Sequence, residues 1–229
     1  MVVSSVVCFC FKDTLFSIVL APKSPQFVTY RLIEKLTGLR QTFDVGLVSV
    51  DLAQQFLVHM KVALMAGFVI VMPYIIFVLF RFVSPGLYDH ERHNTAWAAT
   101  GGYVMFVLGL LLSYFVIFPL TFRFLGTYQV DATVENHITL TSYISVFVLL
   151  GVAMGLMFEM PVVGWLLARV GVLHSSAMSR VRRYAVVVIL VLAAIITPTG
   201  DPFTLMVVAL PLYLLYEFSI VIVKKTEKK

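Results

Sequence analysis

Two acidic residues stand where a carboxylate is either costly or selective. Glu159, in Met157-Phe158-Glu159-Met160-Pro161, lies inside an apolar stretch from Ile144 to Ala168. A carboxyl carried into hydrocarbon is expensive and usually faces a cavity or a partner. Pro161, two residues on, removes a backbone donor and favours a kink. Two readings are open: a polar group presented to a substrate or partner within the membrane, or a structural carboxyl bonded to a neighbouring helix. Glu91 lies in the loop Phe82-Val-Ser-Pro85-Gly-Leu-Tyr88-Asp89-His90-Glu91-Arg92-His93. Its carboxylate would suit a basic ligand, because a guanidinium binds a carboxylate through two parallel hydrogen bonds. Asp89 and Glu91 could equally favour the start of the next helix. Asp201, between Gly200 and Pro202, is by type a turn or helix-cap residue. Glu217 interrupts the last apolar run, where it either marks a polar site or reaches back to the interface.

No catalytic residues and no metal ligands are expected. His59, His90, His93, His137 and His174 all fall near the ends of apolar runs, and neither CxxC nor HExxH occurs. Cys8 and Cys10 stand two apart and do not share a helix face. No cofactor motif is present.

The elements that must position these acids follow from composition. The 229 residues are 60% hydrophobic and 13% charged, with a mean hydropathy of +0.97; soluble domains run at ~45–50% and ~25%. This excludes a water-soluble enzyme, a disordered chain and a disulfide scaffold. An all-α, polytopic helical membrane protein remains. The net charge of +5 reads as membrane orientation rather than nucleic-acid binding, since no basic face is interleaved with aromatics.

A spanning helix needs roughly 20 apolar residues. Stretches free of Asp, Glu, Lys and Arg run from 62 to 80, 94 to 122, 136 to 158 and 184 to 200, and a further apolar run reaches Val223 past Glu217. With Val2 to Leu20 as a first, N-terminally truncated span, the expectation is one transmembrane domain over residues 1–229. Its six helices lie at about 1–20, 60–82, 96–119, 142–168, 184–197 and 203–223. The truncated span would lack its first ~20 residues by the same criterion. Short basic segments around Arg180-Val-Arg182-Arg183 and Lys224-Lys225 place the C-terminus in the cytoplasm. The fifth span is apolar only from Tyr184 to Ile196, about 20 Å of helix against a hydrocarbon core of roughly 30 Å. That mismatch is expected to thin the bilayer locally. Gly151 and Gly155 match a small-xxx-small packing pattern, and Phe118-Pro119 marks a kink or exit.

Several segments in order resemble one family, the TatC subunit of the twin-arginine protein translocase. They are Ala21-Pro22, the Ser84-Pro85-Gly-Leu-Tyr88-Asp-His-Glu91-Arg92 loop, Tyr114 to Pro119, Phe158-Glu159-Met-Pro161, Arg183-Tyr184, Thr197-Pro198 with Asp201, and Ala209 to Glu217. The resemblance implies a six-helix concave receptor in the bacterial cytoplasmic membrane, with both ends cytoplasmic. It would not be an enzyme. It would bind twin-arginine signal peptides of folded precursors and recruit TatA-like and TatB-like single-span subunits, homo-oligomeric within a larger complex, with export driven by the proton-motive force. Carried over by position, Glu91 meets the arginine pair, with Phe82, Pro85, Tyr88 and Arg92 beside it. Glu159, with Pro161, is the intramembrane acid and Glu217 a further polar position. Pro22 and Asp201 are sensitive outer-side positions. Three departures stand out. The family normally begins with an HL-x-ELR segment that supplies a second carboxylate for the arginine pair, and residues 1–229 start within the first expected span instead. Leu205 stands where the family often has Gln. Tyr30 to Val50 matches nothing in the family pattern. The competing reading is a proton-coupled small-solute transporter with Glu159 as the titrating group; it would call for an inverted repeat, and none is evident.

Overall fold

In hydrocarbon a backbone N–H or C=O has no water to bond, so each long apolar run closes its own hydrogen bonds as helix. The computed structural model describes residues 1–37, 46–83, 95–129, 131, 137–197 and 200–227, and their side chains except at 36–37, 82–83 and 95–98. Among these, four helical stretches are long and apolar enough to cross a membrane: Gln54–Arg81, Ala99–Thr127, Leu140–Arg169 and Pro202–Glu227. A fifth is the pair Val2–Cys10 and Lys12–Lys35 taken as one broken span. The protein is thus a polytopic helical membrane protein. The chain divides into two compact units, Met1–Ile70 with Leu111–Val152, and Val71–Leu110 with Ala153–Lys229.

In the first unit, α1 (Val2–Cys10) and α2 (Lys12–Leu20) meet at Phe11. The direction changes there by 87°, so residues 1–20 do not run as one straight helix. The physical signal is Lys12-Asp13: two charges directly after an apolar segment favour turning the chain rather than carrying them on in line. A 3-10 turn, Ala21–Lys23, leads from α2 towards α3 (Val28–Thr37). Helix α4 (Gln54–Val83) contributes its N-terminal part to this unit, and the Ser4 hydroxyl of α1 donates to the Gly67 carbonyl of α4 at 3.2 Å. Strands β1 (Leu47–Val48) and β2 (Ile138–Thr139) form one short parallel ladder with Leu47 opposite Ile138.

Helix α5 (Thr95–Leu112) passes through a π-helical turn, Ser113–Ile117, into α6 (Phe118–Thr127). Pro119 explains that turn. It offers no N–H to the carbonyl four residues back, Phe115, and its ring crowds it. The freed carbonyl accepts the Thr29 hydroxyl, and the carbonyl of Pro119 itself accepts Tyr30 Oη at 3.0 Å. Rings pack around this point: Phe118 meets Tyr143 and Phe147 edge-on, each at 5.0 Å. Tyr143, Phe118, Ile117 and Ile144 are fully buried.

The second unit holds the end of α7 (Leu140–Met157), α8 (Met160–Arg169), α9 (Ser175–Arg180), α10 (Arg182–Ile196) and α11 (Pro202–Glu227), with the adjoining parts of α4 and α5. Helix α11 packs along α8, α9 and α10. Lipid tails are as apolar as leucine, so close fit rather than water exclusion holds such helices together. Gly155 serves that fit: a Cβ there would stand 2.6 Å from the Phe106 ring, and Phe106 is fully buried. Helix α10 has 15 residues, about 22 Å. It ends where the Thr197 N–H and hydroxyl both donate to the Ala193 carbonyl at 2.9 Å.

Candidate functional site

Pro161 decides the local geometry of Glu159. Proline at the start of α8 has no N–H to continue the ladder of α7, so α7 stops at Met157. Phe158 and Glu159 form a tight turn, closed by Glu159 N–H to the Leu156 carbonyl at 3.1 Å. Val163 N–H then bonds back to the Glu159 carbonyl at 2.9 Å, which starts α8. Glu159 occupies the cap position of α8, yet its side chain makes no cap hydrogen bond.

The carboxyl instead lies against α5. A Cβ built on Gly102 would stand 3.0 Å from Glu159 Oε2, 3.1 Å from Ile76 Cγ2 and 3.5 Å from Phe80 Cε2. Ile76 and Phe80 are buried. Oε1 is buried and has no hydrogen-bond partner among the described residues. An ionised carboxylate out of water costs several kcal/mol unless donors compensate it. The site therefore either holds the acid protonated or waits for a donor from another molecule. Both are chemistry of recognition or proton exchange.

The other acids are held differently. Asp201 Oδ1 accepts the Thr204 N–H at 2.7 Å; with Pro202 opening α11, this is N-cap geometry. Glu217 binds Arg182 Nη2 at 2.8 Å through Oε2 and accepts Tyr213 Oη at 3.2 Å through Oε1. It is paired within the chain rather than left open. Pro22 is buried in the 3-10 turn after α2. The preceding carbonyls, Ile18 and Val19, accept Tyr114 Oη at 2.8 Å and Tyr143 Oη at 2.9 Å. The Ile18 carbonyl also accepts the Ala21 N–H at the end of α2, so Tyr114 adds a second bond there, while Tyr143 serves the last-turn carbonyl of Val19.

Pro85, Tyr88, Glu91 and Arg92 lie outside the described residues, as does the side chain of Phe82 in the last turn of α4. No group of three or more His, Cys, Asp or Glu among the described residues could hold a metal ion. Sequence reasoning did not single out Gly102, nor Arg182 as the partner of Glu217. The signal for Gly102 was present in the pair Gly101-Gly102 inside an apolar helix, a pattern of close helix approach.

The family model TatC, described as Sec-independent protein translocase protein (TatC), matches residues 1–211. The Sec-independent protein translocase protein TatC of Akkermansia muciniphila is 38% identical over 176 residues, 77% of this chain. The match spans about half of that relative's length, 51%. The Campylobacter jejuni protein of the same name is 34% identical over 224 residues, 98% of this chain and 86% of its own length. Among solved structures, the crystal structure of the twin arginine translocase receptor TatC superposes with a TM-score of 0.79 at 32% identity. That superposition covers 98% of this chain and 92% of the solved one. A family-wide sequence match and a shared fold together establish that the chain belongs to the TatC family of Sec-independent protein translocase components.

Proposed function

We propose that this protein is the receptor subunit of a twin-arginine translocase, which binds the signal peptides of folded precursors and assembles with single-span TatA-like and TatB-like partners. The observation that carries the reading is Glu159: a carboxyl on a spanning helix, at a proline-made break, with an oxygen that no described residue bonds. A polar group kept at that cost suits a protein whose partners and substrates enter the membrane beside it. Family membership favours this translocase role over the solute-transporter reading.

Glu91 is proposed to receive the arginine pair of the signal peptide, since a carboxylate matches the planar guanidinium fork better than a lone ammonium. Phe82, Pro85, Tyr88 and Arg92 shape that loop. Glu159 with Pro161 then serves partner assembly or transport within the membrane. Pro22 and Asp201 act as functional positions on the outer side, and Glu217 as a further polar position within the membrane. The protein performs no chemical transformation in this scheme, and the proton-motive force drives transport. Six spans, with the C-terminus in the cytoplasm of a bacterial cell whose inner membrane holds the complex, complete the proposed topology. The short α10, about 22 Å against roughly 30 Å of hydrocarbon, would thin the bilayer beside it. Measured bilayer thickness around the α10–α11 hairpin checks that point, and an unperturbed bilayer would count against it.

The test is photo-crosslinking of a twin-arginine precursor to the translocase in membranes. Glu91→Ala is expected to abolish the crosslink, while Glu159→Ala keeps initial docking and loses transport. A crosslink retained in Glu91→Ala would refute its assigned role.

A further inference from the structure

Gly102 is a glycine for a different reason from its neighbour. A Cβ on Gly101 would meet nothing within 4 Å, whereas one on Gly102 would meet Glu159 Oε2 at 3.0 Å and Ile76 Cγ2 at 3.1 Å. Real Cβ atoms seldom tolerate such contacts, so something must give. The backbone of α5 is held by its own ladder, and Ile76 is buried at 2% exposure. The mobile member is the end of the Glu159 side chain, which makes no cap hydrogen bond and whose Oε1 has no partner among the described residues.

We infer that Gly102 is a positioning residue for Glu159: its missing side chain creates the niche, walled by Ile76 and Phe80, that holds the carboxyl against α5 with Oε1 buried. A methyl group at position 102 would push the carboxyl out of this niche. The change in the acid is one of place and access, not of chemical identity. The neighbour Gly101 supplies an internal control, because the same added methyl enters open space there. The reason for glycine at position 102 is close approach and not backbone freedom, since the residue lies within α5 and none of the positive-φ glycines is Gly102.

This inference rests on the reading of Glu159 as a functional acid for its consequence, though not for its geometry, and the experiment separates the two. The geometric readout is the rate at which a hydrophobic carbodiimide modifies Glu159 in the intact protein in native membranes, followed by peptide mass analysis. The functional readout is precursor transport by the same membranes. Gly102→Ala is expected to speed modification several-fold and to lower transport; Gly101→Ala is expected to leave both unchanged. Because the methyl also approaches Ile76 Cγ2, a second variant, Gly102→Ala with Ile76→Leu, removes that branch while keeping the side-chain size, and should retain the faster modification. Modification of Gly102→Ala at the unaltered rate, or its return to that rate in the Ile76→Leu background, would overturn the positioning role. So would failure of both variants to accumulate, which would assign Gly102 to packing. Faster modification with unchanged transport would leave the niche standing and instead contradict a transport role for the Glu159 position.

Discussion

Two spans are broken by proline, and the two breaks are finished in opposite ways. At Pro119 the freed carbonyl is taken up inside the protein: Thr29 bonds Phe115, Tyr30 adds a bond to the Pro119 carbonyl, and buried rings close over the turn. At Pro161 the break instead ends in a carboxyl that caps nothing and has one oxygen unpartnered among the described residues. The first break is a structural joint. The second keeps a polar group at an energetic cost, which selection tolerates when the group has work elsewhere. The same residue type in the same kind of helix can thus serve stability at one place and interaction at another, and the partners decide which.

The contrast breaks most visibly at Glu159. Replacing it with alanine removes a carboxyl that makes no cap hydrogen bond and whose Oε1 has no partner among the described residues, so folding should hold while transport falls by about tenfold or more, the equivalent of ~1.4 kcal/mol or more of lost specific interaction. Transport into inverted membrane vesicles checks this. At the first joint the expectation reverses. Tyr143→Phe leaves the Val19 carbonyl without its donor in a buried setting and should cost about 1–3 kcal/mol of stability, read as a fall in melting temperature in detergent with transport retained. Asp201 tests the comparison on a third helix end. Asp201→Ala removes the cap of α11 at a cost of ~1 kcal/mol, whereas Asp201→Asn keeps it, because asparagine caps as well as aspartate. A transport loss in Asp201→Asn with full stability would move Asp201 from the structural class to the functional one. The smallest effect belongs to Glu217. Its partner Arg182 is half exposed, with side-chain exposures of 51% and 29% for the pair, and such pairs contribute ~0–1 kcal/mol. Glu217→Gln should therefore leave melting nearly unchanged, and a large transport loss there would point to a contact beyond Arg182.

Much of this was readable before any coordinates. The long apolar runs dictated helices because no other open backbone survives in lipid, and the shortness of α10 was visible in the Thr197-to-Pro202 turn. Glu159 and Pro161 announced a costly acid beside a helix breaker. Other features depended on residues far apart in sequence. The pairing of Glu217 with Arg182 joins two helices, and nothing in either neighbourhood names the other. The π-helical turn before Pro119 needs Thr29 and Tyr30, contributed from around the start of α3. The bend at Phe11 was masked because residues on both sides are apolar and only Lys12-Asp13 hints at a turn. Gly102 was legible only in part: the glycine pair signals close helix approach but reads alike at both positions, and only the packing shows that one of them faces the acid.

The central claim is that the break at Pro161 serves interaction while the break at Pro119 serves structure. The most direct measurement sets melting temperature and precursor transport side by side for Glu159→Ala and Tyr143→Phe in the same membranes and detergent. A crossed result is expected, with transport lost at unchanged melting for Glu159→Ala and melting lowered at retained transport for Tyr143→Phe. A Glu159→Ala protein that transports normally, or one that loses transport only in step with its stability, would contradict it.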